Sequence, residues 1–302
     1  MKVFKTAGRG TSRRDFFSKT VSWIAVVATT TAGRTLAGET KYEYDPLGRV
    51  TKVTYLDGSS SSFTYDKVGN RVQTSRSLTG GPTVIQVSSS GDLRSLANAV
   101  GYSGAANATF QFEVPANVTL SGASGTGRGL DTGAWPAGVT LTLIVYGNVY
   151  GGGGAGGNGN SGSGGNGGDA IYIQAPITIT VASSGSVKGG GGGGAGGAPK
   201  SQGASGLRPG SGGGGGFPNG APGGYASMSG YSSVSGTGGS TAGGGAGGVG
   251  QWGAYGGNGG NAGLAGSAGY SNSNVGQAGY AIRKNGNVVT VMNNGTVSGT
   301  IA

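Results

Sequence analysis

Residues 177–194 read ITITVASSGSVKGGGGGG, a short alternating segment that runs directly into six glycines. Two other segments align with its first thirteen residues without gaps: residues 139–151, VTLTLIVYGNVYG, and residues 287–299, NVVTVMNNGTVSG. Apolar and polar side chains alternate in each, which predicts a β-strand with one buried face. The closing G-x-V-x-G predicts a turn and a second short strand. This repeat is the element from which the fold prediction starts.

The alignment also predicts how the strands are arranged. It brings Leu141, Ile179 and Val289 together on one face of a small sheet. Glycine-rich segments follow the first two repeats, at residues 152–168 and 190–279. If the strands stack side by side, both segments leave from the same end of the sheet, as insertions do on one face of a repeat protein.

Glycine supplies 74 of the 302 residues, about three times its ordinary share. Fixing a glycine in regular structure costs roughly 0.5–1 kcal/mol more than fixing an alanine. The segments are therefore either floppy linkers or places where only glycine fits because main chains touch. No strict G-X-Y period is present, which excludes collagen. Because predicted strands flank the glycine runs, we expect ordered helices with three residues per turn (polyglycine II).

The composition excludes several classes of function. The chain has no Cys and no His, and Asp169 is the only acidic residue after Asp131. These facts exclude a disulfide scaffold, Cys/His metal sites and His-dependent catalysis. We expect no enzyme activity, no metal and no cofactor. The net charge of +10 comes mostly from the first 37 residues and forms no basic cluster later, so no nucleic-acid partner is expected.

The N-terminus resembles a twin-arginine export signal. Arg13, Arg14, Phe16 and Phe17 stand in the segment TSRRDFFSK, and the apolar run VSWIAVVATTTA follows. That run is too short to span a bilayer. We therefore predict an export signal over residues 1–37, no permanent membrane span, and a periplasmic, extracellular or cell-surface location. The alternative is a plain basic tail.

Two tyrosine–aspartate motifs come next, YDPLGRV at residues 44–50 and YDKVGNRV at residues 65–72. Their alternating Tyr, Val and Thr neighbours and glycine turns predict β-hairpins. Over residues 42–76 the chain resembles the YD repeats of Rhs-type proteins, in which many copies build a large β-shell; two copies cannot close one. We predict a β segment with a linker over residues 38–81. It either docks a fibre or Rhs-type partner chain or is a plain β meander.

Residues 82–136 are predicted to form a β-rich connecting region. Strand patterns occur at residues 83–87, 110–114 and 118–120, and residues 93–100 predict a short helix that starts near Ser90 or Asp92.

Three stretches are distinctive: LIVYGNVYGGGG at residues 143–154, the segment at residues 177–194, and the ending GYAIRKNGNVVTVMNNGTVSGTIA at residues 279–302. Together they resemble the distal adhesins of the long tail fibres of T-even-like phages and related prophage proteins. The resemblance implies a non-enzymatic protein that caps a fibre and recognises a cell-surface protein or glycan through loops between packed glycine helices. For a phage-derived chain it also implies a place at the virion tail tip.

The predicted fold is thus mainly β: YD-repeat hairpins, then a small β-repeat scaffold that carries a bundle of polyglycine II helices over residues 137–302. Bulky side chains between the glycine runs must point outward or sit in loops, and Trp, Tyr and Arg are frequent recognition residues. The candidate receptor contacts are Lys200, Arg208, Phe217, Tyr225, Met228, Tyr231, Trp252, Tyr255 and Tyr270. These aromatic residues could instead close the edges of the bundle against water. The alternative function is an extracellular structural or self-assembling glycine-rich matrix or fibre protein.

Overall fold

A computed structural model describes residues 40–55, 59–77, 82–250 and 252–302, with the backbone alone for residues 72–77. All of them belong to one compact unit, Leu36–Ala302. The predicted export signal and residues 78–81 of the predicted linker lie outside the described residues.

The YD motifs form a four-stranded antiparallel sheet in the order β1-β2-β3-β4. Its strands are β1 (Lys41–Tyr44), β2 (Val50–Thr54), β3 (Ser60–Tyr65) and β4 (Arg71–Ser77). The motif aspartates organise the turns, since Asp45 Oδ1 accepts the backbone N–H of Leu47 at 2.9 Å and of Arg49 at 3.0 Å. Hydrogen bonding, led by the Arg49 backbone N–H, lowers the pKa of Asp45. The predicted hairpins are present.

Thirteen further strands form three parallel sheets. The first sheet contains β5 (Thr83–Gln86), β7 (Thr109–Val114), β10 (Thr140–Val145), β13 (Ile177–Val181) and β20 (Val289–Asn293). The second contains β8 (Thr119–Ser121), β11 (Asn148–Tyr150), β14 (Ser186–Lys188) and β21 (Thr296–Ser298). The third contains β6 (Gly91–Asp92), β9 (Leu130–Asp131), β12 (Ile171–Tyr172) and β19 (Ile282–Arg283).

From β7 onward the chain visits the three sheets in rotation, and every neighbouring pair of strands is parallel. This is a three-sided parallel β-helix, in which each coil adds one strand to each sheet. The strands of residues 82–136 pair directly with those of residues 137–302. The predicted connecting region is therefore part of the same scaffold.

The core of the β-helix is a set of stacked apolar side chains. In the first sheet Ile85, Phe112, Leu143, Ile179 and Val291 occupy one row of register. The middle three are completely buried. Alternation along each strand places these side chains inside and the threonines between them outside, so the period of two in the sequence becomes the wall of the β-helix.

One short helix, α1 (Leu93–Ala99), lies beside the first coil as predicted. Asp92 caps it, because its Oδ1 accepts the backbone N–H of Ser95 at 2.7 Å. Leu93 and Ala97 are fully buried in the common core. The helix therefore covers apolar side chains of the first coil.

The predicted register needs one correction. Ile179 pairs with Leu143 and Val291, two residues from the Leu141 and Val289 of the gap-free alignment. The cause is the turn of the second repeat, residues 182–185, which is two residues longer than the turns at 146–147 and 294–295. A shift of two leaves the same face buried, so the pattern tolerates it. The second strands of each repeat have the predicted register.

Both glycine-rich segments leave from one corner of the β-helix, as predicted. Residues 151–170 join β11 to β12, and residues 189–281 join β14 to β19, so each runs between the second and third sheets. Two small hairpins interrupt the longer segment: β15 (Lys200–Ser201) with β16 (Leu207–Arg208), around a 3₁₀ turn Gly203–Ser205, and β17 (Ser227–Met228) with β18 (Tyr231–Ser232).

Hydrogen bonds between the glycine segments recur every three residues. The N–H groups of Gly151, Gly154 and Gly157 donate to the carbonyls of Lys188, Gly191 and Gly194 at 2.8–2.9 Å. The intervening N–H groups donate to other neighbours; that of Gly156, for example, donates to Ala221. A spacing of three is the repeat of a threefold extended helix. The segments are therefore packed against several neighbours and satisfy their backbone groups with one another.

Glycine is required sterically in this packing. A Cβ on Gly193 would overlap the carbonyl oxygen of Ala155 and lie 2.5 Å from its carbonyl carbon. Equivalent overlaps with backbone atoms occur at Gly154, Gly216 and Gly276. Of the two sequence-based alternatives, contact between main chains is the one that the structure supports.

Candidate functional site

Five turns of the glycine-rich region gather at the end farthest from the β-helix. We call these the distal loops: residues 158–161, 199–209, 227–232, 252–255 and 270–273. Backbone hydrogen bonds tie them together, since the N–H of Ala198 donates to Tyr270, that of Tyr270 to Tyr255, and that of Ser211 to Ala254, at 2.7–2.8 Å. Two of the intervening turns lie against the β-helix, where the N–H of Gly263 donates to Gly189 and the Nδ2 of Asn219 donates to Gly122.

Asparagine side chains fix the ends of the glycine segments. Asn160 Oδ1 accepts the N–H of Gly210 at 2.9 Å, and the Nδ2 of buried Asn272 donates to Gly162 at 3.1 Å and to Gly196 at 2.7 Å. These amides satisfy backbone groups where the threefold pattern ends. The distal loops are therefore held on a bonded framework.

Two cations, Arg208 and Lys200, contact aromatic rings that belong to other distal loops. The guanidinium carbon of Arg208 lies 3.6 Å from the ring centroid of Tyr231 and 5.1 Å from that of Trp252. The two rings are 6.4 Å apart and nearly perpendicular. Arg208 is almost completely buried, whereas both rings are exposed. The arginine thus fastens the β17–β18 hairpin to the loop of Trp252.

Lys200, the cross-strand partner of Arg208, contacts a different ring. Lys200 Nζ is 5.1 Å from the ring centroid of Tyr270, and the Tyr270 ring is 6.2 Å from that of Tyr255. Met228 is half-buried opposite Tyr231 in the β17–β18 hairpin. Tyr225 precedes that hairpin and is 63% exposed. Eight of the nine predicted contact residues therefore lie in or next to the distal loops.

Phe217 departs from the expectation of an exposed side chain. It is buried at the opposite end of the glycine region, where its ring packs edge-on against Tyr150 of β11 at 5.1 Å between centroids. This residue closes the bundle against the scaffold, the alternative that the sequence left open. Arg208 is buried too, but within the distal loops. The sequence analysis missed Leu207, whose side chain is 48% exposed beside Arg208.

A concavity of about 850 Å³ lies near the base of the glycine segments. Its cations are paired: Arg283 Nε donates to Asp169 at 2.6 Å, and Arg128 Nη1 to Asp131 at 2.6 Å. The hydrogen bond that Arg283 donates to the Asp169 carboxylate raises the pKa of Arg283. Because these charges pair with one another, the concavity offers a ligand fewer unpaired charged groups than the distal loops do.

The distal loops contain no Asp, Glu, His or Cys side chain. Acidic residues are absent from the sequence after Asp169. Across the described ranges no three His, Cys, Asp or Glu side chains are grouped as a metal site would need. The described part of the chain also contains no helix with the length and apolarity that a membrane crossing requires.

Comparison with known families assigns this architecture. The family model described as phage tail fibre adhesin Gp38 matches residues 82–302. The chain belongs to the Gp38 family. The match confirms the resemblance noted in the sequence and extends it upstream from residue 137 to residue 82, so that all coils of the β-helix are included. An RHS repeat model matches residues 24–60, which confirms the YD resemblance but lies nearer the N-terminus than residues 42–76.

A solved structure shares the Gp38 fold. The gp37–gp38 adhesin tip complex of the bacteriophage S16 long tail fibre matches with a TM-score of 0.52 and 23% identity. The match covers 74% of this chain and 83% of that chain. At this identity the likeness establishes the fold. No curated protein matches the chain.

Proposed function

We propose that this Gp38-family chain is a non-enzymatic, receptor-recognising tip that binds a bacterial surface molecule through its distal loops. The observation that carries the proposal is the convergence of those five loops, with Lys200, Trp252, Tyr255 and Tyr270 among them, at one end of the glycine region. Aromatic and basic side chains supply large contact area at low entropic cost.

The glycine region acts as the rigid support of this surface. We propose that its segments are polyglycine II helices, an assignment supported by the hydrogen-bond spacing of three and by the overlap that a Cβ would cause at Gly193. Loops held on such a framework lose little conformational entropy on binding, which favours affinity. Exposed loop residues such as Tyr225 and Trp252 lie outside this packing, so these positions can vary without disturbing it.

The nine candidate residues divide into two roles in this proposal. Seven make contact, and two give support. The contact residues are Lys200, Tyr225, Met228, Tyr231, Trp252, Tyr255 and Tyr270. Arg208 holds two distal loops together, and Phe217 holds the glycine region on the scaffold.

Membership of the family supports a fibre partner and an extracellular location. The S16 protein is a complex of gp37 and gp38, and we propose that this chain likewise joins a fibre chain and acts at a virion tip or another extracellular site. The β1–β4 sheet is the candidate attachment segment, because Tyr42 and Tyr44 on its edge strand are 54% and 60% exposed. We propose residues 1–37 as an export signal, 38–81 as the attachment segment and 82–302 as the adhesin domain.

The test is binding of fluorescently labelled protein to a panel of Gram-negative cells, before and after surface proteolysis. We expect at least one strain to bind, and the double variant Trp252→Ala, Tyr255→Ala to lose most of that binding. The matched control is Tyr42→Ala, Tyr44→Ala, which removes two exposed aromatic rings elsewhere. Equal binding by both variants would refute the distal site. Concentration-dependent assembly that is indifferent to the distal aromatics would instead support a matrix protein.

A further inference from the structure

Lys200 and Arg208 form a pair of like charges on one hairpin. They are direct cross-strand partners in the β15–β16 ladder. Like charges opposite one another destabilise a sheet. Lys200 Nζ also lies against the loop of Trp252, where a Cβ on Gly253 would be 3.3 Å from it. The two cations are therefore held at the centre of the distal loops.

Among the residues that the structure describes, neither cation forms an ion pair with an Asp or Glu. Residues 170–302 contain five Lys or Arg and no Asp or Glu. Arg208 is only 3% exposed, and its Nε is buried without a hydrogen-bond partner. Burying a guanidinium normally requires an acidic partner or full hydrogen bonding. The contacts with Tyr231 and Trp252 and the long bond from Arg208 Nη1 to the Leu207 carbonyl, 3.5 Å, offset part of this cost, but none of them supplies a negative charge.

From this arrangement we infer that the distal loops recognise a carboxylate-bearing protein loop. This rests on the proposed function and names the chemistry of its ligand. Lys200 meets the carboxylate, and Arg208 is a positioning residue that orders the loops and adds positive potential beneath it. The carboxylate relieves the repulsion between the two cations, so binding stabilises a site that the free protein holds at a cost.

The surroundings favour a protein loop over a phosphorylated glycan. A site for a phosphorylated glycan needs several hydrogen-bond donors around each phosphate group. The distal loops instead offer two cations among apolar and aromatic side chains. Leu207, Tyr231 and Trp252 are all exposed beside them. Aromatic residues with an arginine are typical of protein–protein hot spots. An Asp or Glu side chain flanked by apolar residues fits this mixture.

The test uses the full-length protein and two peptides, Ac-Gly-Trp-Asp-Gly-NH₂ and its Asn counterpart, titrated while ¹H–¹⁵N NMR signals are followed. We expect the Asp peptide to shift the backbone signals of the β15–β16 hairpin, the Arg208 Nε–H and the Trp252 indole N–H. Its affinity should exceed that of the Asn peptide at least fivefold at low salt and decline as NaCl rises. Equal shifts with both peptides, or none in the distal loops, would overturn the inference. Stronger shifts with inorganic phosphate at the same signals would overturn it in favour of a phosphorylated glycan.

Lys200→Glu provides a second test, in which stability and peptide binding should change in opposite directions. It replaces a like-charge pair by an opposite-charge pair, so we expect a higher melting temperature together with loss of the Asp-peptide shifts. Lys284→Glu, the same charge change near the β-helix, should retain the peptide shifts. If Lys200→Glu lowers the melting temperature and leaves peptide binding intact, Lys200 is structural and the inference fails. Cell binding that is lost in the Trp252 and Tyr255 variant but unchanged in Lys200→Glu would preserve the proposed function while refuting this inference.

Discussion

The steric role of glycine can be tested at Gly193, in the middle of the glycine region. In Gly193→Ala the new Cβ would overlap the Ala155 carbonyl and lie 3.0 Å from the nitrogen of Gly156. Gly193 also donates to Gly165 at 2.8 Å and accepts from Gly276 at 2.9 Å. The substitution therefore forces apart segments whose hydrogen bonds depend on close approach.

The magnitude follows from three contributions. Overpacking costs about 1–3 kcal/mol, and weakening two hydrogen bonds costs about 1 kcal/mol each. Reduced flexibility of the unfolded chain returns about 0.7 kcal/mol. The net loss of unfolding free energy is about 2–4 kcal/mol, which lowers the melting temperature by about 5–15 °C for a domain of this size.

The assay is chemical and thermal unfolding followed by circular dichroism, with Gly238→Ala as the matched control. A Cβ on Gly238 would meet its nearest atoms at 3.3 and 3.6 Å, so that variant should change the unfolding free energy by less than about 1 kcal/mol. If the two variants have the same stability, main-chain contact does not explain the glycine content, and the reasoning fails.

Three further predictions concern the scaffold. Phe217→Ala should lower the unfolding free energy by about 3–5 kcal/mol because the buried ring is lost; denaturant titration measures this, and a change under 1 kcal/mol would contradict its role at the base. Asp92→Ala removes the cap of α1 and should cost about 1 kcal/mol; an unchanged unfolding midpoint would show that the cap contributes nothing. The lowered pKa of Asp45 means that its carboxylate stabilises the β1–β4 sheet above pH 3.8, and that this stabilisation is lost as pH falls through the folded-state pKa. Hydrogen-exchange protection of residues 41–54 should therefore decline below pH 3.8 in the unsubstituted protein. The decline should be much smaller in Asp45→Asn.

The sequence was most informative where a local pattern has one structural solution. Alternation in the three repeats gives strands with a fixed buried face, and the Tyr-Asp motifs give turns that the aspartate itself closes. The helix at residues 93–99 follows from Asp92 at its cap. The register of Ile179 could not be predicted, because a two-residue insertion in a turn leaves the alternation unchanged.

The candidate site was predicted less completely. Bulky side chains between glycine runs stand out in the sequence, and eight of the nine lie in or near the distal loops. Nothing in the local sequence distinguishes Phe217, which follows a glycine run at the base, from Trp252, which follows one at the distal end. Whether a turn is proximal or distal depends on how many times the chain has already reversed direction.

The sequence by itself determined that the strands repeat, that glycine dominates the long stretches between them, and that no Asp or Glu follows Asp169. These are properties of residue type and spacing, and they do not depend on how the chain folds. The tertiary structure alone decided that five separate turns meet at one end and that Lys200 and Arg208 lie opposite each other without a counter-charge. The meeting of the turns arises from hydrogen bonds between segments tens of residues apart, which no local pattern encodes.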